Sequence, residues 1–234
     1  MPNYFDKLPF TLAFKYTLLQ FCKRIVDPDV KLSFSEFGED VLIQTLSNYR
    51  RSGFLVDVGS NHPTVNSTTF ALYLKGWTGL NADGNGSLIE KAKRIRKKDI
   101  SVTALISNEA REVEYIKFSN DKLNSINSAI VKDWNESLVT EREKRTTRTL
   151  TQVLEEYIPE GRAIDLLSID VEAHDYEALT SLDLRFFPVE LVVVEMHDYQ
   201  FNDHHPILNY LESKGYQLVH FSGNNGFFKR KGPK

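Results

Sequence analysis

The sequence predicts a doubly wound α/β sheet, and three observations carry that prediction. Short β-branched runs alternate with helical patterns from about residue 35 onward. Phe54–Val58 and Val189–Met196 are dominated by apolar residues, as expected of strands buried on both faces of a parallel sheet. Near the end, Gly223-Asn224-Asn225-Gly226 separates two strand-like runs. Four residues cannot join parallel strands, so the last strand runs antiparallel.

The elements follow in order. Leu8 to Val26 (LPFTLAFKYTLLQFCKRIV) forms the helix of an N-terminal extension, residues 1–33, ahead of a main domain at 34–234. Lys15 interrupts its apolar run and Lys23 and Arg24 close it, so it is too short and too charged to span a bilayer. No small-residue cleavage site follows, which excludes a signal peptide. The helix packs on the body or on a second copy in a homodimer; the alternative is a helix lying on a membrane surface, since aromatic residues and leucines sit beside lysines. Val41–Tyr49 is an amphipathic helix, Phe54–Val58 a strand, Ser67–Lys75 a helix and Gly79–Ala82 a strand. Ser87–Lys98 is a helix with capping potential at Ser87 and Glu90, Ser101–Ile106 a strand, and Arg111–Phe118 an exposed strand or hairpin arm. Ser119–Arg148 breaks the rhythm; a polar segment of that length inside a domain reads as a lid or acceptor-binding insertion. Leu150–Tyr157 (helix), Ala163–Val171 (strand), Tyr176–Ser181 (helix), Val189–Met196 (strand) and Pro206–Lys214 (helix) restore the alternation before the terminal hairpin.

Composition narrows the function. Apolar residues make up 41% and charged residues 26% of 234, an ordinary globule. With 29 basic against 32 acidic residues the chain has no cationic excess, which argues against nucleic acid as a partner. Cys22 is the single cysteine and no zinc spacing exists, so a reducing, cytoplasmic compartment is expected. The run Lys91-Lys93-Arg94-Arg96-Lys97-Lys98 reads as the solvated face of a surface helix.

In an open parallel sheet, ligands bind beyond the carboxyl ends of strands. The polar residues that follow the strands are Asp57, Gly59, Ser60 and Asn61; Asp83; Ser107 and Asn108; Asp170, Glu172 and His174; and Glu195, His197 and Asp198. The first turn, DVGSN, carries one glycine where a dinucleotide site uses three, and His62-Pro63 obstructs a pyrophosphate. A phosphate-free adenosyl ligand fits better. Gly59 allows close backbone approach, and Asp83, 24 residues further on, suits two ribose hydroxyls.

At this level of detail the chain resembles the FkbM-type methyltransferases, which have the Rossmann-like class I fold, depend on S-adenosylmethionine and methylate hydroxyl groups of sugars and natural products. The resemblance runs from Phe34 to Lys231 through FSEFGED, FLVDVGSNHPTVNSTT, GWTGLNAD, RTLTQVLEEY, IDLLSIDVEAHDYEAL and VELVVVEMH. Two departures stand out: Ala173 occupies a position where the family has glycine, and Asp83-Gly84 stands for its glutamate-proline. The resemblance implies a mainly parallel seven-stranded sheet. It further implies that Asp57, Gly59 and Asn61 border the methionine part of the cofactor, that Asp83 holds the ribose, that residues near Ser107 border the adenine, and that Asp170 and Glu172 face the reacting centre.

A sugar hydroxyl is a poor nucleophile at neutral pH and needs a base or a metal ion. Asp170, Glu172, Glu195 and His197 at adjacent strand ends suit either of two arrangements. In one, His197 is the base, oriented by a carboxylate; in the other, Mg²⁺ is held by Asp170, Glu195 and His197. His62 and His220 read as packing residues, His174 as a helix cap, and His204 and His205 as a solvated loop. Asn124, Ser125, Asn127, Ser128 and Trp134 make the insertion the expected surface for a sugar-containing acceptor. Two other classes compete: a nucleotide-dependent oxidoreductase, disfavoured by the missing glycines, and a non-catalytic interaction protein, disfavoured by the acidic strand ends.

Overall fold

The structure, a computed structural model, describes residues 8–27, 29–120, 123–128, 136–201 and 204–232. The helices are α1 (Phe10–Val26), α2 (Glu39–Leu46), α3 (Phe70–Lys75), α4 (Gly86–Ile95), α5 (Leu150–Tyr157), α6 (Asp175–Thr180) and α7 (Pro206–Ser213). The strands are β1 (Phe54–Val58), β2 (Thr78–Asp83), β3 (Ile100–Thr103), β4 (Leu105–Ile106), β5 (Glu112–Phe118), β6 (Val139–Arg148), β7 (Ile164–Ile169), β8 (Val189–Glu195), β9 (Tyr216–Ser222) and β10 (Asn225–Arg230).

Seven strands form one sheet in the order β3-β2-β1-β7-β8-β10-β9. The first five are parallel, and β10 runs antiparallel to both β8 and β9. The expected doubly wound sheet with an antiparallel last strand is present. Residue period two sends alternate side chains of each strand to opposite faces. Val56, Val58, Leu167, Ile169, Val192 and Val194 join α5, α6 and α7 in one core, while Leu55, Leu166, Leu191 and Val193 join Ile43 of α2, Leu72 of α3 and Trp77 in the other. Asp57 lies on the face of Leu55, and it is carried into the interior on the side of α3.

Three local features differ from expectation. The last third of the expected lid or acceptor-binding insertion, 119–148, is a strand: β6 pairs antiparallel with β5 from Glu112↔Thr146 to Phe118↔Val139, and parallel with the two-residue β4. Its sequence, VTEREKRTTR, has no apolar alternation because the ladder is held by charge: Lys117 to Glu141 at 2.9 Å, Arg142 to Glu114 at 2.5 Å and Lys144 to Glu112 at 2.7 Å. Trp134 lies outside the described residues. The expected strand Ser101–Ile106 divides into β3 and β4, with Ala104 donating its N–H to the Asp83 carbonyl between them. The cap of α4 is also Asn85 and not Ser87: the Asn85 side chain accepts the Ser87 N–H at 3.1 Å.

The N-terminal helix α1 docks against α3. Tyr16 is buried among Leu8, Phe70, Tyr73 and Ile95, and the Tyr16, Phe34 and Phe70 rings meet edge-on or tilted at 5.2–5.4 Å. No helix among the described residues is long and apolar enough to cross a membrane.

Candidate active site

The register of the central strands sets the site. Val58 pairs with Ala82 on one side and with Ile169 on the other, and Ile169 pairs with Val194. The next residues along those strands, Gly59, Asp83, Asp170 and Glu195, therefore stand in one row at the carboxyl edge of the sheet. All four line a cavity of about 260 Å³, together with Asn61, Ala104–Ile106, Asn124–Ile126, Glu172, His174 and Phe37.

Gly59 is in the left-handed region at φ +75°, and a β-carbon there would meet the Asp170 carbonyl at 1.7 Å. The glycine is required by the contact between the β1 turn and the end of β7, a stronger constraint than the cofactor approach expected from sequence. Gly59 and Ser60 both donate N–H groups to the Ala82 carbonyl, which ties the same turn to β2.

Asp83 braces two loops. One carboxylate oxygen accepts the Asn61 N–H at 2.8 Å and the other accepts the Asn85 N–H at 2.7 Å. With both oxygens fixed in this way, the carboxylate stands in the cavity wall. Gly84 beside it leaves no room for a side chain: a β-carbon would lie 2.3 Å from Leu105 Cδ2.

Asp57 borders the cavity, but its carboxylate is turned inward, accepting from Thr69 Oγ1 at 2.5 Å. Arg96 donates to the same hydroxyl at 2.8 Å and to Asp99 at 2.8 Å. Burial raises the Asp57 pKa, and the Arg96 charge and the Thr69 hydrogen bond oppose that rise. Arg96 is 1% exposed, so the reading of the whole basic run as a solvated face is corrected at this residue: it is a buried strut behind the site. Its signal in the sequence was its place beyond the end of α4, three residues before Asp99.

Ser107 is also corrected. It is fully buried and does not line the cavity. Its Oγ lies 2.9 Å from His174 Nε2, and Ala104–Ile106 and His174 form the cavity wall instead. His174 makes no side-chain cap on α6, contrary to expectation. Burial lowers its pKa, so it is neutral at neutral pH.

The acidic centre gathers at β7, β8 and α6. Oxygen donors of Asp170, Asp175 and Glu195 lie within 4.8 Å of one another, as do those of Glu172 and Glu195 with a His197 nitrogen. The expected trio of Asp170, Glu195 and His197 is thus split between two groups that share Glu195. Asp170 is open to the cleft but hemmed in by protein; desolvation first, and then Glu195, Asp175 and Glu172, hold its carboxyl well above the usual range. Desolvation and Glu195 push Asp175 up to about 8, against the hydrogen bond it accepts from the Val171 N–H at 2.9 Å. His197 does not line the cavity; it stands behind Glu195, Nε2 to Oε2 at 2.9 Å. The two groups form an ion pair. The carboxylate raises His197 to about 9, making it a cation at neutral pH.

The turn between β7 and α6 carries Glu172 and Ala173 at φ +55° and +59°. Successive left-handed residues other than glycine are costly. The Ser125 hydroxyl donates to the Glu172 carbonyl at 3.0 Å and the Asn127 amide to the Ala173 carbonyl at 3.1 Å. Asn124 Oδ1 accepts the Phe118 N–H at 2.9 Å. These side chains, expected to meet a sugar, are thus engaged in holding the turn and the β5 end. His62 keeps a local role: its Nδ1 accepts the Val65 N–H at 3.1 Å.

The chain is similar to known methyltransferase domains. The family model described as the methyltransferase FkbM domain matches residues 57–218. The structure is similar to the crystal structure of methyltransferase FkbM from Methylobacillus flagellatus KT, with a TM-score of 0.51 and 12% identity over 97% of this chain and 56% of that one. The chain thus spans a little over half the length of that protein. It is also similar to a TehB-like SAM-dependent methyltransferase from Corynebacterium glutamicum ATCC 13032 Kitasato, with a TM-score of 0.42 and 14% identity over 94% of this chain and 99% of that one. No curated protein matches the chain. With the family's domain covering most of its length, the chain belongs to the FkbM methyltransferase family.

Proposed function

We propose that the protein transfers a methyl group from S-adenosylmethionine to a hydroxyl of a sugar-containing acceptor. The observation that carries this reading is the level row of Gly59, Asp83, Asp170 and Glu195 along one cavity. In that row the Asp83 carboxylate stands two strands away from a crowded acidic group.

Bound S-adenosylmethionine supplies a methyl group on a cationic sulfur, which keeps the electron pair when the carbon–sulfur bond breaks. Asp83, oriented by the Asn61 and Asn85 N–H groups, accepts hydrogen bonds from the ribose hydroxyls. Ala104–Ile106 and neutral His174 give the adenine a partly apolar wall. Asp170 takes the acceptor's hydroxyl proton as the carbon–oxygen bond forms. Its raised pKa suits this duty, since a base works best when its affinity for the proton is close to that required at the working pH. His197, already protonated at neutral pH, balances the charge of Glu195 instead of acting as the base.

One observation favours a second reading. The donors of Asp170, Asp175 and Glu195 are close enough for a hard divalent ion such as Mg²⁺, which would acidify the acceptor hydroxyl.

The test is transfer of labelled methyl from S-adenosylmethionine to a panel of glycans and glycolipids, run beside thermal shift with the cofactor. Incorporation together with a stabilising shift that Asp83→Ala removes supports the proposal. A shift that survives Asp83→Ala refutes the ribose assignment, and cofactor binding with label found only on non-glycan acceptors refutes the substrate class.

A further inference from the structure

Helix α1 packs one face on the body and leaves an apolar stripe uncovered. Phe10, Phe14, Leu18, Phe21 and Ile25 recur at helical spacing on one side, and each is between 50% and 84% exposed. The stripe borders a large groove between α1 and the body, whose apolar wall includes Phe34, Leu74 and Tyr49. The groove is cationic. Lys23, Arg24, Lys31, Arg51 and Lys75 line it, and Lys15 flanks the stripe on the opposite side.

Among the described residues, Lys23, Lys31, Arg51 and Lys75 have no carboxylate ion-pair partner, and Lys31 and Lys75 approach the same Tyr49 ring at 5.6 and 5.4 Å. Desolvation, then Lys31 and Lys23, lower the Lys75 pKa, and Asp40 opposes them only in part. The Asp40 carboxylate itself is occupied by Ser33, Ser35 and the Phe34 N–H. Asp27, which accepts the Asp29 N–H at 2.8 Å, and Asp29 follow the last turn of α1, between Arg24 and Lys31 in sequence.

We propose that this face docks on an anionic phospholipid surface, with the α1 stripe in the boundary between acyl chains and headgroups and the groove cations receiving lipid phosphates. An aromatic and aliphatic stripe flanked by cations is the pattern of a helix lying in a membrane interface. Charge disfavours a second copy as the occupant. A twofold interface would set the groove lysines against their own images, with no carboxylate row to meet them. The docking is independent of the methyl-transfer reading. It has a consequence for it nonetheless: Phe34 and Val41 line the groove while Phe37 and Glu39, between them in sequence, line the cavity, so the cleft would open near the lipid surface.

Flotation of the full chain with vesicles of phosphatidylcholine, with and without phosphatidylglycerol, tests the proposal. The protein is expected to float with the mixed vesicles only. Lys31→Gln with Lys75→Gln should weaken partitioning roughly thirtyfold, from about fivefold for each basic residue near a charged surface. Phe14→Ser with Leu18→Ser should weaken it at least as much, and both double variants should keep the wild-type circular dichroism and melting temperature. Three results overturn the proposal: no flotation with either vesicle, equal flotation with both, or a vesicle-independent dimer in sedimentation velocity that Phe14→Ser with Leu18→Ser dissolves.

Discussion

Gly59 and Asp170 meet back to back: the space where a β-carbon on Gly59 would sit is filled by the Asp170 carbonyl, 1.7 Å away. The cofactor turn and the proposed base are thus parts of one backbone contact, reinforced by the Asp170 N–H bonding the Val58 carbonyl at 3.0 Å. Gly59→Ala must strain a left-handed residue and also push β1 and β7 apart. The expected loss is about 3 kcal/mol or more in urea unfolding, from backbone strain plus overpacking, with loss of cofactor binding. A variant of wild-type stability would refute the contact.

The neighbouring turn carries the opposite prediction. Ala173 sits at φ +59°, a conformation glycine adopts without penalty. Ala173→Gly should raise stability by about 0.5–1 kcal/mol, the relief of left-handed strain exceeding the added unfolded-state entropy. The denaturation midpoint measures it. Unchanged or lower stability would mean that the Ser125 and Asn127 hydrogen bonds already offset the strain.

These two turns show how far the sequence could be read. Apolar runs such as Phe54–Val58 announce buried strands, so the sheet, its antiparallel end and the row of strand-end carboxylates were legible. Strand β6 was not, because its ladder is made of charge pairs and its side chains are mostly exposed, leaving no hydrophobic period to detect. Arg96 was hidden by its charged neighbours; only packing reveals that one residue of the run turns inward. Ser107 stood in a strand-end position like the others, but its N–H bonds the Arg148 carbonyl and the residue is buried, a detail absent from residue identity. Pairing of His197 with Glu195 needed the distance between side chains two positions apart at the end of β8.

Stability should fall with rising pH in chelator-treated protein. The His197 imidazolium contributes fully below its ordinary pKa of 6.5, and that contribution is lost as pH rises through about 9. Asp175 acts in the same direction, its neutral form being favoured in the fold and lost as pH rises through about 8. The two losses overlap between pH 6.5 and 8, where the slope is expected to be steepest. His197→Gln should flatten the remaining decline between about 8 and 9. Urea midpoints across pH 6 to about 10 give the comparison; stability that climbs over this range contradicts the pairing.

Metal dependence separates the two readings of the acidic centre. With Asp170 as the direct base, a chelator should leave the methyl-transfer rate within about twofold of the untreated rate. A tenfold or larger drop, restored by Mg²⁺, would assign Asp170, Asp175 and Glu195 to a divalent ion instead.

The central claim is that the row at the end of the sheet receives an adenosyl group with Asp83 on its ribose. Calorimetric titration of folded protein with S-adenosylhomocysteine measures this directly. The account predicts one-to-one association, weakened about tenfold or more in Asp83→Ala, as expected for losing a charged hydrogen-bond acceptor. Absence of heat with both this ligand and S-adenosylmethionine, for protein with a cooperative melt, would contradict it.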